Sequence, residues 1–359
     1  MAGDYRAIAT QIADSRSPMI VVDAIDLAGA TAALDLARAT SALIVHAEPD
    51  DLEALQNQGY FTTSPSEAAL RGDRIVVLGG ISEVAASDEA FRRIIAKPGI
   101  ETILHLDTGG VQLASCTTHQ IQRIELTTTE LIDTLGTATA TASGTLAVSD
   151  TPAARHARLL TSFAEGTAYG IMCHETGHLD RHALLAAMAL ANELASTTRW
   201  SLLPIGRRAG QSELIRMAQA STGLPPPLDF RVCRPRHDHV TIDPQQRIAD
   251  GDVDQVIWIS ASKTTPPAWV RAAAALITID ASGQIDGTNH IHVGVAGVDF
   301  PALIDPAEMS GTIALQPSDG PTSTPTMATV LETLTQQIRA ALPADHPSHI
   351  NDNASAATQ

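Results

Sequence analysis

Residues 17–46 read SPMIVVDAIDLAGATAALDLARATSALIVH, and this stretch decides the fold. Pro18 disfavours a helical conformation at Ser17, and the short apolar run Met19–Val22 behind it reads as a strand. Asp26 is placed to cap the helix LAGATAALDLARA, because an aspartate carboxylate accepts first-turn amides. Residues Ala42–Val45 then supply a second strand. Strand, helix and strand in thirty residues make a βαβ unit, the building block of a largely parallel sheet.

The same alternation continues on both sides of this unit. Residues 5–15 read as a helix. Further strands are expected at Ile75–Leu78, Ile103–Leu106, Tyr169–Cys173, Ser201–Pro204, Val256–Ser260, Leu276–Asp280 and Ile291–Val293. Helical patterns occupy about 152–165, 181–196, 210–221, 267–274 and 325–342. Leu184, Met188, Ala191 and Leu194 form an apolar stripe at helical spacing, which reads as core. Residues 223–239 and 316–326 look irregular, and the tail from Ala344 onward has no periodicity and is expected to be disordered. No internal repeat is visible.

Composition narrows the function classes. The chain has 359 residues and is 44% apolar with only 3% aromatic. It is long enough for two domains or one large α/β domain. A net charge of −17 argues against a nucleic-acid partner or an anionic membrane, both of which need a basic face. No apolar stretch reaches the roughly 20 residues of a membrane helix, and the N-terminus has no signal-peptide core. Cys116, Cys173 and Cys233 form no CxxC pair, which points to a reducing, cytoplasmic setting and excludes a cysteine-ligated iron–sulfur cluster on this chain alone.

Three candidate chemistries stand out. His174-Glu175-Thr176-Gly177-His178 matches HExxH formally, and a zinc peptidase would need it on one helix. Yet AYGIMC before it reads as a buried strand, and Gly177 would cost about 1 kcal/mol in a helix. The competing reading is a strand-to-helix turn, with His178 or Asp180 capping the next helix. Cys233, His237 and His239, with His290 and His292, could offer zinc ligands, but their spacing fits no common pattern. Gly79-Gly80, and Gly294 with Gly297, each follow a strand and could cradle a phosphate there. Neither makes a GxGxxG motif or a P-loop.

An ordered series of segments resembles the B subunit of formylmethanofuran dehydrogenases, within the molybdopterin oxidoreductase superfamily. It comprises residues 17–46 and GYFTTSPSEAALRGDRIVVLGG (59–80). It continues through GLPPPLDFRVCRPRHD (223–238), with Phe230, Pro235 and Asp238, and GDVDQVIWIS (251–260). It closes on IHVGVAGVDFPALIDPAEMSGTIALQ (291–316), through Gly294, Gly297, Asp299, Gly311 and Leu315. The resemblance spans roughly residues 7–340. It implies two Rossmann-like parallel-sheet α/β domains lacking the iron–sulfur domain. One is expected from 1–46 plus 216–340, and 47–215 is inserted as the other, with the tail 344–359 disordered and a cofactor cleft between the domains.

The departures from that family are specific. Redox-active relatives begin with a cysteine-rich cluster segment, and by this resemblance the residues of this chain are expected to start beyond it. They also carry a cysteine or selenocysteine ligand to tungsten or molybdenum in C-H-G-P, where this chain has His46-Ala47-Glu48-Pro49. Imidazole is a poor replacement for thiolate on such a metal. The resemblance therefore implies a paralogue in a bacterial formyltransferase/hydrolase complex, acting in one-carbon metabolism. There an amidohydrolase-like A subunit and a formyltransferase D subunit do the chemistry, and B and C serve as scaffold. On this reading the chain has no catalytic, cofactor or metal residues of its own and binds no cofactor. Its vestigial cleft would lie around His46 and His174. The alternatives are an active tungsten or molybdopterin dehydrogenase subunit and, more distantly, the HExxH zinc peptidase.

Overall fold

Alternate residues of one central strand, Met19 and Val21 against Ile20 and Val22, are buried in different apolar clusters. This is the pattern of a sheet covered on both faces. The computed structural model describes residues 5–47, 63–113, 117, 119–145, 150–206, 210–232, 234–238, 241–283, 289–304 and 312–342. The expected disorder of the tail from Ala344 lies outside these residues. The chain forms two compact units, Met1–Pro49 with Arg208–Pro306 and Gly311–Gln359, and Asp50–Arg207 with Ala307–Ser310.

The first unit opens with α1 (Tyr5–Ala13), β1 (Pro18–Val22), α2 (Leu27–Ala39) and β2 (Leu43–His46). The second unit then begins with α3 (Pro65–Arg71), β3 (Arg74–Leu78), α4 (Glu83–Ser87), α5 (Glu89–Ile95), β4 (Thr102–Asp107) and β5 (Gln120–Glu125). It continues with α6 (Thr128–Ala142), α7 (Pro152–Ala164), β6 (Tyr169–Glu175), α8 (Arg181–Ala195) and β7 (Arg199–Ile205). The chain returns to the first unit as α9 (Glu213–Thr222), β8 (Leu228–Asp229), β9 (Arg236–His237), α10 (Pro244–Ala249), β10 (Gln255–Ser260) and α11 (Ala268–Arg271). It ends with β11 (Leu276–Asp280), β12 (His290–His292), β13 (Ala302–Ile304), β14 (Ile313–Leu315) and α12 (Met327–Ala341).

The first unit's sheet has the order β12-β11-β10-β1-β2-β8-β9. Its first five strands are mutually parallel, and β8 and β9 add antiparallel pairs at one edge. One face packs on α1, α2, α9 and α12 through residues such as Ile12, Leu34, Leu214 and Leu334. The other face meets Val270 of α11 and the segment around Ile242 and Val253, with Trp258 in its core. Asp26 caps α2 by accepting the Gly29 amide, as its position predicts. β13 and β14 form a separate antiparallel hairpin.

The second unit's sheet is entirely parallel, with the order β5-β4-β3-β6-β7. Val76, Leu104 and Met172 point into a core with α6, α7 and α8. Val77, Ile103 and Cys173 point the other way, toward α4 and α5. In each sheet the chain winds outward from the centre in both directions, so each has a switch point, between β1 and β10 and between β3 and β6. That is Rossmann-like α/β architecture. Among the described residues no helix is long and apolar enough to cross a membrane.

Several elements depart from the sequence expectations. The segment 223–239, expected to be irregular, holds the two short strands β8 and β9. The helix expected at 267–274 shrinks to α11, whose N-cap is Pro267, and ends at the Ala272 cap. β5 and α6 lacked a clear apolar period. β5 is a largely solvent-facing edge strand, and α6 draws much of its length from threonine.

Gly170 faces Trp200 across β6 and β7. A Cβ added there would lie 2.3 Å from the indole, which is itself buried. Gly170→Ala should therefore destabilise the second unit by about 1–3 kcal/mol through overpacking, as read by denaturant unfolding.

Candidate functional site

In doubly wound sheets, ligands bind outside the carboxyl ends of the strands at the switch point. The second unit's switch point lies where β3 and β6 end. Gly79 leaves β3 at φ +78°, and Gly80 and Gly110 bring two loops into backbone contact. A Cβ on Gly80 would sit 1.7 Å from Gly109 O, so only glycine fits. The amides here are already engaged: Gly79 N–H donates to Leu106 O at 2.9 Å and Gly80 N–H to Thr108 Oγ1 at 3.0 Å. Ser82 donates both its N–H and its Oγ–H to the Glu175 carboxylate, each at 2.6 Å. A phosphate at Gly79-Gly80 would have to displace the chain's own acceptors, so the cradle reading fails. The second glycine pair fares no better, since Gly294 N–H donates to Pro325 O and Gly297 N–H to Phe300 O.

The HETGH run is not a helix. His174 and Glu175 end β6, Gly177 turns the chain at φ +77°, and α8 begins only at Arg181. Asp180, not His178, is the cap: its Oδ1 accepts the His182 and Ala183 amides at 2.8 and 3.4 Å. Adjacent strand residues face opposite ways, so a strand cannot present ligands as a zincin helix does. His178 instead lies beside the Ser82–Glu175 latch, its Nδ1 3.3 Å from Glu175 Oε1. His174 is fully buried in strand register with Leu78 and Pro204. The peptidase reading is thereby excluded.

A second polar arrangement supports the glycine turn from below. His105 is fully buried, and its Nε2–H donates to Gly79 O at 3.0 Å. Its Nδ1 has no partner among the described residues. Asp107, also buried, accepts from Arg123 Nε at 2.6 Å and from the Gly109 amide at 2.8 Å. Burial lowers the His105 pKa, and this outweighs the Gly79 carbonyl and the Asp107 carboxylate, which act in the opposite direction. The imidazole is therefore held neutral.

In the first unit the switch point lies between β1 and β10. Asp23 Oδ2 accepts from Ser260 Oγ at 3.0 Å, Ser262 Oγ at 3.3 Å and Thr264 Oγ1 at 2.5 Å. On the next strands, in register with Ser260, stand Asp280 and then His292. Asp280 is buried and accepts from Ser282 N–H and Oγ–H, with His290 Nε2 at 3.3 Å. His46, at the end of β2, donates Nε2–H to Gln211 O at 2.8 Å and is 3% exposed.

The remaining candidates disperse. Cys233 and His239 lie outside the described residues, and His237 Nδ1–H points to Pro227 O at 3.2 Å. Of the cysteines, Cys173 is described; burial pushes its thiol up to about 12, so it is not a thiolate. Among the described residues no group of three or more His, Cys, Asp or Glu side chains could hold a metal ion. The Ser82–Glu175 latch and the Asp23 hydroxyl cluster went unread in the sequence. Their partners lie 93 and about 240 residues apart, and no local pattern marks them.

The fold and these sites define a doubly wound α/β protein whose polar groups gather at the strand ends. No family model matches the chain, and no curated protein does so either. Among solved structures, the fold is similar to a chain in the formyltransferase/hydrolase complex (FhcABCD) from Methylorubrum extorquens, determined in complex with methylofuran. The two share 23% identity with a TM-score of 0.76, over 95% of this chain and 97% of that one.

Neutral, buried His105 makes stability depend on pH in a definite direction. Its folded-state pKa lies below the ordinary value, so the unfolded chain binds the proton first as pH falls. Stability should drop as pH falls below about 6.5, the ordinary imidazole value. Replacing His105→Gln keeps a donor for Gly79 O. Unfolding curves between about pH 7.5 and 5 should show a shallower pH dependence for that variant than for the wild type.

Proposed function

We propose that this chain is a non-catalytic scaffold, similar to the B subunit of formylmethanofuran dehydrogenases, in a complex of the formyltransferase/hydrolase type. The complex would convert formyl-tetrahydromethanopterin to formate by way of formylmethanofuran, in one-carbon metabolism. Its partners would be an amidohydrolase-like A subunit, a C subunit and a formyltransferase D subunit, in the cytoplasm. The observation that carries this reading is the near full-length agreement in fold with a chain of such a complex.

The local chemistry supports the same reading. Formyl transfer and amide hydrolysis need an activated nucleophile and a stabiliser for the developing oxyanion. At the second unit's switch point, the amides that could act as such a stabiliser are occupied by Leu106 O, Thr108 Oγ1 and Glu175. The carboxylate there is equally occupied, taking two donors from Ser82.

The rival reading, an active tungsten or molybdenum subunit, meets a donor set that does not fit. His46 stands in the ligand position the resemblance assigns, and its Nε2 is engaged with the Gln211 carbonyl. A soft thiolate is what such a metal selects, and the cysteine among the described residues, Cys173, is buried and protonated.

Purification of the tagged chain from cells grown on a one-carbon substrate tests the proposal. The chain should co-purify with formyltransferase and hydrolase activities, and elemental analysis should find no stoichiometric tungsten or molybdenum. About one tungsten or molybdenum per chain would favour the dehydrogenase reading. Purification without either activity would remove the complex from consideration.

A further inference from the structure

The hairpin β13–β14 packs against α2 through β13. Between them lies a cavity of about 200 Å³. Its apolar walls include Ala28, Pro301, Leu303 and Ala314, with Gln316 as a neutral polar group. The one ionisable side chain among the described lining residues is Asp26, which is 4% exposed. Among the described residues its carboxylate accepts one hydrogen bond, from the Gly29 amide to Oδ1 at 3.2 Å. No lysine, arginine or histidine among them pairs with it.

This carboxylate faces the amides at the N-terminus of α2, and no cationic side chain among the described residues pairs with it. Burial raises the Asp26 pKa, and the amides of Gly29, Asp26 and Ala28 offset this only in part. A nearly buried carboxylate beside apolar walls favours a guest with a cationic tip and an aliphatic stem. The first-turn amides of α2 already share this carboxylate, which leaves little acceptor capacity for the guest. Such limited capacity suits the compact ammonium of lysine better than the planar fork of arginine, which binds carboxylates through two oxygens. The volume admits a four-carbon stem.

We infer that this cavity receives a lysine side chain from a partner protein, with Asp26 as its counter-ion. Two observations favour a protein over a free small amine. Leu303, which lines the cavity, is 50% exposed. A protein surface would cover this apolar rim, whereas a small cation would leave it in water. The chain's net charge of −17 also favours a basic partner face. The inference rests on the reading of the chain as a subunit of a complex.

The test has two arms. In the first, the full chain and its Asp26→Asn variant are titrated with n-butylammonium chloride and followed by NMR. Asparagine caps a helix about as well as aspartate, so the variant should fold. Binding should be saturable in the wild type and at least tenfold weaker in the variant; equal binding to both overturns the pocket. In the second arm, the purified complex is treated with a zero-length carbodiimide and digested. Mass spectrometry should find Asp26 joined to a lysine Nζ of a partner subunit, and Asp26→Asn should weaken subunit association at least tenfold. A complex that forms normally, without that link and without loss of affinity in the variant, overturns the docking role. A chain that binds n-butylammonium through Asp26 but yields no complex would instead count against the proposed function.

Discussion

A parallel sheet covered by helices on both faces has no side on which polar side chains can reach water. In β1 and β10 every residue is buried, and apolar residues fill both strand interiors, with the polar Gln255 and Ser260 at the two ends of β10. Asp23, Ser260, Asp280 and His46 stand at strand ends in the first unit, and His174 and Glu175 in the second. Each must satisfy its hydrogen bonds within the protein, because a buried polar group left unpaired costs about 1–3 kcal/mol. The distribution of candidate chemistry follows from that constraint.

How the ends are satisfied differs between the units. In the second unit the glycines allow two loops to meet backbone to backbone, and Glu175 takes the Ser82 amide and hydroxyl. Charge-assisted bonds of this kind are worth about 1.5–3 kcal/mol each, so the latch is a substantial local constraint. In the first unit a carboxylate gathers three hydroxyls across β1 and the loop after β10. Glu175 and Asp23 are thus engaged by the chain itself, whereas Asp280 Oδ2 has no hydrogen-bond partner among the described residues.

Legibility from sequence followed the range of the forces involved. The βαβ unit at 17–46 was readable because Pro18, Asp26 and the apolar runs act locally. HETGH was readable as a strand exit for the same reason, since AYGIMC precedes it and Asp180 caps the helix after it. Helix α6 was missed: TTELIDTLGTATATA is rich in threonine, which has low helix propensity, and contains Gly136. The missed signal was the capping box, in which Thr127 and Glu130 bond each other's backbone amides. Strand β5, QIQRIE, hid behind its polarity because it is a largely exposed edge. The contacts that close the switch points join residues too distant in sequence for any local pattern to mark.

The central claim is that the chain supports assembly and contributes no group to the chemistry. Reconstitution from separately purified subunits, with assembly and turnover scored independently, tests it most directly. The account predicts that omitting this chain lowers both activities through loss of assembled partners. It also predicts that His46→Ala and Glu175→Gln, once incorporated into an intact complex, leave turnover within a few-fold of wild type. A thousandfold loss of turnover from either substitution, with assembly unchanged, would contradict the account and make that strand end an active site.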